Sequence, residues 1–307
     1  MVILDGTLSS LETGSETNAG LIFKLLEDVP QSSVYYEEGL QWTSFRSGWG
    51  VMVGTGINRQ IQRAYLWLAQ RYRPGDKIIL VGYSRGAYAV RSLAGAIDRV
   101  GLLRADHANE DLMAQVYGFY REAPDSAEAE TFAQTYCHAE TPIEAVAVFD
   151  TVKALGLMLP VFGKWSQRRH AFHNHTLGDS IQHGFHALAL HETRRAYAPV
   201  LWKCPTTWNG RMEQVWFRGN HGTVGGHLKG FDAARPLSNI PLVWMLRHLA
   251  KCGLSLPADW QDRYPTDPLA PATGYLALWK VLFFAHRKRK VGQCRSESIH
   301  PTVGPTG

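Results

Sequence analysis

Residues 77–97 read KIILVGYSRGAYAVRSLAGAI, an apolar run that enters Gly82-Tyr83-Ser84-Arg85-Gly86 and leaves as a helix-compatible segment. Gly-x-Ser-x-Gly between a strand and a helix is the pattern of a nucleophile elbow. The turn is so tight that the residues two before and two after the serine must be small, and Gly82 and Gly86 meet that need. Such a turn lifts the Ser84 hydroxyl clear of the sheet. It also aims the N-terminus of the next helix at any negative charge forming there. The Arg85 backbone N–H then stands where an oxyanion donor is needed, a group worth ~2.7–4 kcal/mol in the transition state. Neither Gly-x-Gly-x-x-Gly nor Gly-x-x-x-x-Gly-Lys-Ser/Thr occurs here, so the turn is not read as a nucleotide cradle.

A serine hydroxyl needs a base to take its proton, and the base needs an orienting carboxylate. On an α/β scaffold of this kind the chain order is Ser, then Asp or Glu, then His. AVAVFDTV supplies the acid, because Asp150 follows the apolar run Ala145 to Phe149. QVWFRGNHGTVGGH supplies the base, because His221 comes soon after Phe217. His227, beyond Gly225-Gly226, is the competing base. Asp150 also reads as a helix cap or turn carboxylate, and His221 as a structural loop histidine. Asp5-Gly6-Thr7 ends the first apolar run and offers a second oxyanion N–H from Gly6 or Thr7; a simple glycine-containing turn is the other reading.

The elements that must hold these groups can be traced by periodicity. Val2–Leu4, Val34–Tyr36, Ile78–Val81, Ala145–Phe149 and Gln214–Phe217 read as strands. Thr17–Leu26 and Ile57–Arg71 read as helices, the second stopped by Pro74-Gly75-Asp76. Residues 43–56 and 153–180 read as loops, and 104–140 as a helical insertion. From Pro241 the chain reads as helical with breaks. Alternating strands and helices imply an α/β fold: a mostly parallel central sheet with helices on both faces, a three-layer sandwich. One domain over 1–303 is expected. The last twelve or so residues read as frayed, with 304–307 outside the domain.

At 307 residues with 45% apolar and 19% charged content, the chain is an ordinary globular one. Its net charge of +5 permits contact with an anionic surface without requiring it. Cys137, Cys204, Cys252 and Cys294 form no CxxC pair and read as four reduced thiols. The N-terminus MVILDGTLSS carries no secretory signal pattern, and no apolar run approaches the ~20 residues of a membrane span. A cytoplasmic protein is expected, with export by a route that reads no signal peptide left open.

Taken together, these segments resemble a bacterial and fungal family of α/β-hydrolase proteins long classed as of unknown function, which includes the Tle1-type phospholipase effectors of type VI secretion. The resemblance is carried by Leu4-Asp5-Gly6-Thr7, Thr17-Asn18, Val34-Tyr35-Tyr36, Gly48-Trp49-Gly50 and Tyr72-Arg73-Pro74-Gly75-Asp76. It continues through Val81-Gly82-Tyr83-Ser84-Arg85-Gly86-Ala87, Phe149-Asp150-Thr151-Val152, Leu155-Gly156 and His186-Ala187-Leu188-Ala189-Leu190. Val215-Trp216-Phe217-Arg218-Gly219, His221, Val224-Gly225-Gly226 and Ile299-His300-Pro301 complete it. It implies the α/β-hydrolase fold, a Ser–Asp–His triad falling on Ser84, Asp150 and His221, and action on phospholipid acyl esters. The chain departs from the family pattern in several places. Leu8-Ser9-Ser10 follows Asp5-Gly6-Thr7 where an Asn or similar polar residue is usual. Thr223 replaces an Asp and His227 a Gly around the histidine, and His191 replaces an Asp in the HALALHE segment, which the pattern assigns to a helix.

The expected activity is therefore cleavage of a carboxylic ester, with a lipid acyl ester favoured by resemblance. A small-ester esterase and a non-catalytic binding module of the same shape stand as alternatives. No cofactor is needed for that cycle. His170, His173, His175, His183 and His186 suggest HxxHxH, but the segment is polar and loop-like, so no metal is expected. His183 and His186 are expected on a helix packed against the core. Trp279–Lys290 (WKVLFFAHRKRK) joins an apolar patch to a basic cluster. It reads as a packed helix with a solvated end, or as peripheral contact with an anionic membrane. No nucleic-acid motif is present.

Overall fold

The computed structural model describes residues 1–30, 33–39, 55–152, 176–274 and 286–304. The quoted segments Gly48-Trp49-Gly50 and Leu155-Gly156, the histidines at 170, 173 and 175, and residues 279–285 lie outside these. Seven strands form one sheet: β1 (Val2–Leu4), β2 (Tyr35–Glu37), β3 (Ile78–Tyr83), β4 (Ile143–Phe149), β5 (Ile181–Ala189), β6 (Arg211–Phe217) and β7 (Glu297–Ile299). Their spatial order is β2-β1-β3-β4-β5-β6-β7, and every ladder among the described residues is parallel. The chain therefore reverses its direction of travel across the sheet between β1 and β3. In open α/β sheets ligands bind outside the carboxyl ends of the strands at such a switch point.

The short central strands are apolar at nearly every position because helices cover both of their faces. Val2, Leu4, Ile78, Leu80, Val146 and Val148 point to one side. There they meet α2 (Thr55–Ala69) and α3 (Arg85–Arg99) through Ile61, Tyr65, Val90 and Leu93. Ile3, Ile79, Val81, Ala145, Ala147 and Phe149 point to the other. They meet α1 (Asn18–Glu27) and α7 (Arg235–Lys251) through Ile22, Leu25, Leu242 and Leu246. The helical insertion is present as α4 (Glu110–Glu122) and α5 (Ala127–Tyr136), which add Met113, Tyr120 and Phe132 to the α2–α3 side.

Four expectations change. HALAL is not helical: it belongs to β5, the longest strand, and His183 and His186 lie on it. A short apolar run fits a buried strand as well as a helix, and here the sheet between β4 and β6 decides. Helix α7 begins at Arg235 with Pro236 in its first turn, so Pro241 falls inside it instead of starting it. Beyond α7 the described residues contain turns, a strand and a 3-10 turn. The C-terminal segment is not frayed up to residue 304. β7 pairs with β6, the His300 N–H donates to the Trp216 carbonyl, and the His300 ring stacks on Phe217.

Nor are all four thiols free. Cys204 and Cys294 form a disulfide with Cα atoms 6.3 Å apart, while Cys137 and Cys252 are free and buried. Sequence spacing hid the pair because the two residues are 90 apart. They precede β6 and β7, which the sheet makes neighbours. The disulfide closes a long loop and fastens the 286–304 strap to the body. Cys204→Ser is expected to lower the unfolding free energy by about 2–4 kcal/mol. Denaturant melts of the two proteins check this, and reductant should bring the wild type down to the variant.

Candidate active site

Ser84 and Asp150 end adjacent strands. The ladder pairs Tyr83 with Phe149, and the Ser84 N–H donates to the Phe149 carbonyl at 3.0 Å. Both residues leave their strands with positive φ, 58° for Ser84 and 42° for Asp150. These sharp turns lift the two side chains off the sheet at its carboxyl edge. The flanking glycines are there for space. A Cβ on Gly82 would lie 2.6 Å from the Ala87 Cα, and one on Gly86 would lie 2.1 Å from the Leu4 carbonyl oxygen.

His221 opens the short helix α6 (His221–Gly225), four residues after the end of β6, the neighbour of β5. Its Nε2 lies 2.8 Å from the Ser84 Oγ, and its Nδ1 lies 2.6 Å from the Asp150 Oδ2. Burial by itself would push the Asp150 carboxyl up. The guanidinium of Arg289 and the His221 hydrogen bond outweigh that and hold it well below the usual carboxylate range. An ionised carboxylate only accepts, so Nδ1 carries the imidazole proton and Nε2 presents its lone pair to the Ser84 hydroxyl. The three residues are almost entirely buried. His227, the competing base, has no such contact with Ser84 among the described residues; burial lowers it to about 4.

The histidine loop is braced from several sides. Glu192 is buried, accepts the His221 N–H at 3.2 Å and is held by a two-pronged ion pair with Arg194. Tyr83 stacks on the His221 ring with centroids 5.0 Å apart and an interplanar angle of 30°, and Tyr197 lies 4.6 Å away on centroids. A Cβ on Gly225 would lie 1.9 Å from the Tyr83 ring, which explains the glycine there. The positions that depart from the family pattern still brace the loop. His191 Nδ1 accepts the Gly219 N–H at 3.0 Å. Thr223 Oγ1 bonds to Asn220 and Thr273. Asn18 Nδ2 donates to the Val224 carbonyl and ties α1 to the same loop.

The oxyanion candidates separate. The Gly6 N–H is turned onto Asp5 Oδ1 at 2.6 Å. No partner for the Arg85 or Thr7 N–H is found among the described residues. Asp5 is buried and also accepts from Thr17 Oγ1 at 2.6 Å and Tyr36 OH at 2.8 Å.

Sequence reasoning missed Arg289. Its neighbours Arg287, Lys288 and Lys290 are exposed, but its own side chain is 4% exposed and points inward onto Asp150. The basic cluster is thus not one solvated end. His186 was also misread: it is buried and neutral, pushed down to about 3 by desolvation, and its Nε2 accepts the Thr151 N–H at 3.1 Å beside Asp150. Away from this site, ligand-type atoms of Glu144, His183 and Cys252 lie within 4.8 Å of one another. The Lys77 ammonium already brings a cation there, 3.8 Å from Glu144 and 2.9 Å from the Cys252 carbonyl.

The described chain is thus a parallel α/β sheet with Ser84, His221 and Asp150 hydrogen-bonded in series at its carboxyl edge. Residues 1–248 match the family described as T6SS, phospholipase effector Tle1-like, catalytic domain, and the chain belongs to that family. It is 28% identical over 220 residues to the uncharacterised protein YEL023C of Saccharomyces cerevisiae, covering 63% of this chain and 31% of that one. Among solved structures, an uncharacterised protein from Pseudomonas aeruginosa aligns at 14% identity with a TM-score of 0.45, over 87% of this chain and 48% of that one. The Tle1 effector bound to the VgrG spike from the type 6 secretion system aligns at 16% identity with a TM-score of 0.39, over 73% and 50%. The chain thus spans about a third to a half of the length of these relatives. No helix among the described residues is long and apolar enough to cross a membrane.

Burial pushes the Asp5 carboxyl up from its ordinary value of 3.8 to about 6, against its hydrogen bonds to Thr17, Gly6 and Tyr36. An acid with a raised folded pKa binds more protons folded than unfolded, so its contribution to stability falls as pH rises through that window. Relative to Asp5→Asn, the wild type is expected to lose about 2 kcal/mol between pH 4 and pH 7. Parallel denaturant titrations at the two pH values check this, and equal offsets at both would refute the assignment.

Proposed function

We propose that this chain is a serine ester hydrolase of phospholipase type. The observation that carries the reading is the continuous line of hydrogen bonds from Ser84 Oγ through His221 to Asp150. Ser84 attacks the ester carbonyl as His221 Nε2 takes the hydroxyl proton. Asp150 keeps the imidazole in the tautomer and orientation that this needs and stabilises the imidazolium that forms. The negative charge on the carbonyl oxygen is met by the Arg85 N–H at the start of α3 and by the Thr7 N–H. The Gly6 N–H is committed to Asp5 and is not part of the oxyanion site.

Collapse of the tetrahedral species expels the alcohol, which takes the proton from His221 and leaves Ser84 acylated. Water, deprotonated by the same imidazole, then releases the acid. No cofactor enters this cycle. The phospholipase wording of the family favours an acyl ester of a phospholipid as substrate. The outward-facing Arg287, Lys288 and Lys290 suit approach to anionic head groups.

A fluorophosphonate probe should label the folded wild type and fail to label Ser84→Ala. Ester turnover should fall by at least ~10³-fold in Ser84→Ala and in His221→Ala. Fatty-acid release from phospholipid vesicles exceeding turnover of short p-nitrophenyl esters supports the lipid substrate, and the reverse points to a small-ester esterase. Folded wild type that never reacts with the probe would leave a binding module and end the catalytic reading.

A further inference from the structure

We propose that Arg289, carried on the C-terminal strap, is a positioning residue of this site that locks the Asp150 carboxylate beneath His221. The proposal rests on the serine-hydrolase reading above and adds a fourth side chain from beyond the residues that define the family. The geometry is a two-pronged fork. Arg289 Nη1 donates to Asp150 Oδ1 at 2.5 Å, and Nη2 donates to Oδ2 at 2.9 Å. The same two nitrogens donate to the carbonyls of Ala189, at 2.7 Å, and Tyr197, at 2.6 Å. The guanidinium is thereby tied both to the end of β5 and to the residue whose ring lies against His221.

The carboxylate side of the fork is equally complete. Oδ1 accepts the Ala189 N–H at 3.0 Å as well as Nη1, and Oδ2 accepts His221 Nδ1 as well as Nη2. An ionised carboxylate offers about four acceptor positions, and here all are taken. The plane of the carboxylate cannot turn without breaking a bond, so Oδ2 stays aimed at Nδ1. A lysine supplies charge at this place but no planar fork, and the two functions can be separated by substitution.

Arg289 also supplies charge that keeps Asp150 ionised in a buried place: against burial, its guanidinium and the His221 hydrogen bond hold the carboxyl well below the usual carboxylate range. The other groups facing His221 are Glu192, already paired with Arg194, together with Tyr83, Tyr197 and the neutral His227. Of these, Tyr197 is bonded to Arg289 through its carbonyl.

The test is the rate of fluorophosphonate labelling of the full chain as a function of probe concentration, which needs no knowledge of the natural ester. Arg289→Gln is expected to label about 10²-fold more slowly at saturating probe near neutral pH, with the half-saturating concentration unchanged. Arg289→Lys, which keeps the charge and loses the fork, should also label slowly. Arg295→Gln, an exposed cation of the same strap, should match the wild type. Folded Arg289→Gln with an unchanged rate, or with a loss that falls on the half-saturating concentration alone, overturns the proposal and leaves Arg289 a strap anchor. Should Arg289→Gln not fold, Arg289→Lys decides, and a wild-type rate in it overturns the need for the fork. Absence of labelling in the wild type refutes the serine-hydrolase reading itself, a result distinct from any effect of Arg289.

Discussion

A carboxylate with no access to water must be surrounded by donors, and at Asp150 that demand organises the whole carboxyl edge of the sheet. Its partners come from the end of β5, from the loop after β6 and from the strap that ends in β7. Each must arrive at its own angle, so the relative placement of β4, β5 and β6 is fixed by more than ladder bonds. An unpaired charge there would cost several kcal/mol. The parallel register that brings Phe149, Ala187 and Val215 to a common level is what allows one buried group to be served from so many directions.

The sheet order explains why the serine sits where it does. The chain turns back between β1 and β3, and the loops that leave these two strands diverge to opposite faces. The crevice between them is lined by Asp5-Gly6-Thr7 on one side and by the start of α3 on the other. Asp5 holds the first loop through Thr17 and Tyr36, and Gly86 lets α3 start almost in contact with the Leu4 carbonyl.

Ser84, Asp150 and His221 could be read in the sequence because each follows a short apolar run at a strand end, and the serine has glycines at fixed offsets. The structure hydrogen-bonds the three side chains in series. Arg289 could not be read: its contact with Asp150 spans 139 positions, and the residues around it are exposed cations that give the segment the look of a solvated face. β5 was hidden for a different reason. Its first half holds Gln182 and His183, which are not buried, and its second half, 185–189, is buried throughout and has no period to report, so only neighbouring strands distinguish it from a helix. The Cys204–Cys294 pair was hidden because adjacency of β6 and β7 is a property of sheet order. His191 and Thr223, whose residue types depart from the family pattern, each hydrogen-bond within the loop that carries His221.

The positive φ values at Ser84 and Asp150 have an evolutionary consequence. Backbone conformations of this kind cost of order 1–3 kcal/mol for a residue bearing a side chain, and glycine would relieve the cost at either place. Selection for robustness alone would therefore drift toward glycine at two neighbouring strand ends. On the function proposed above, the side chains that stand at both places exchange durability for reactivity.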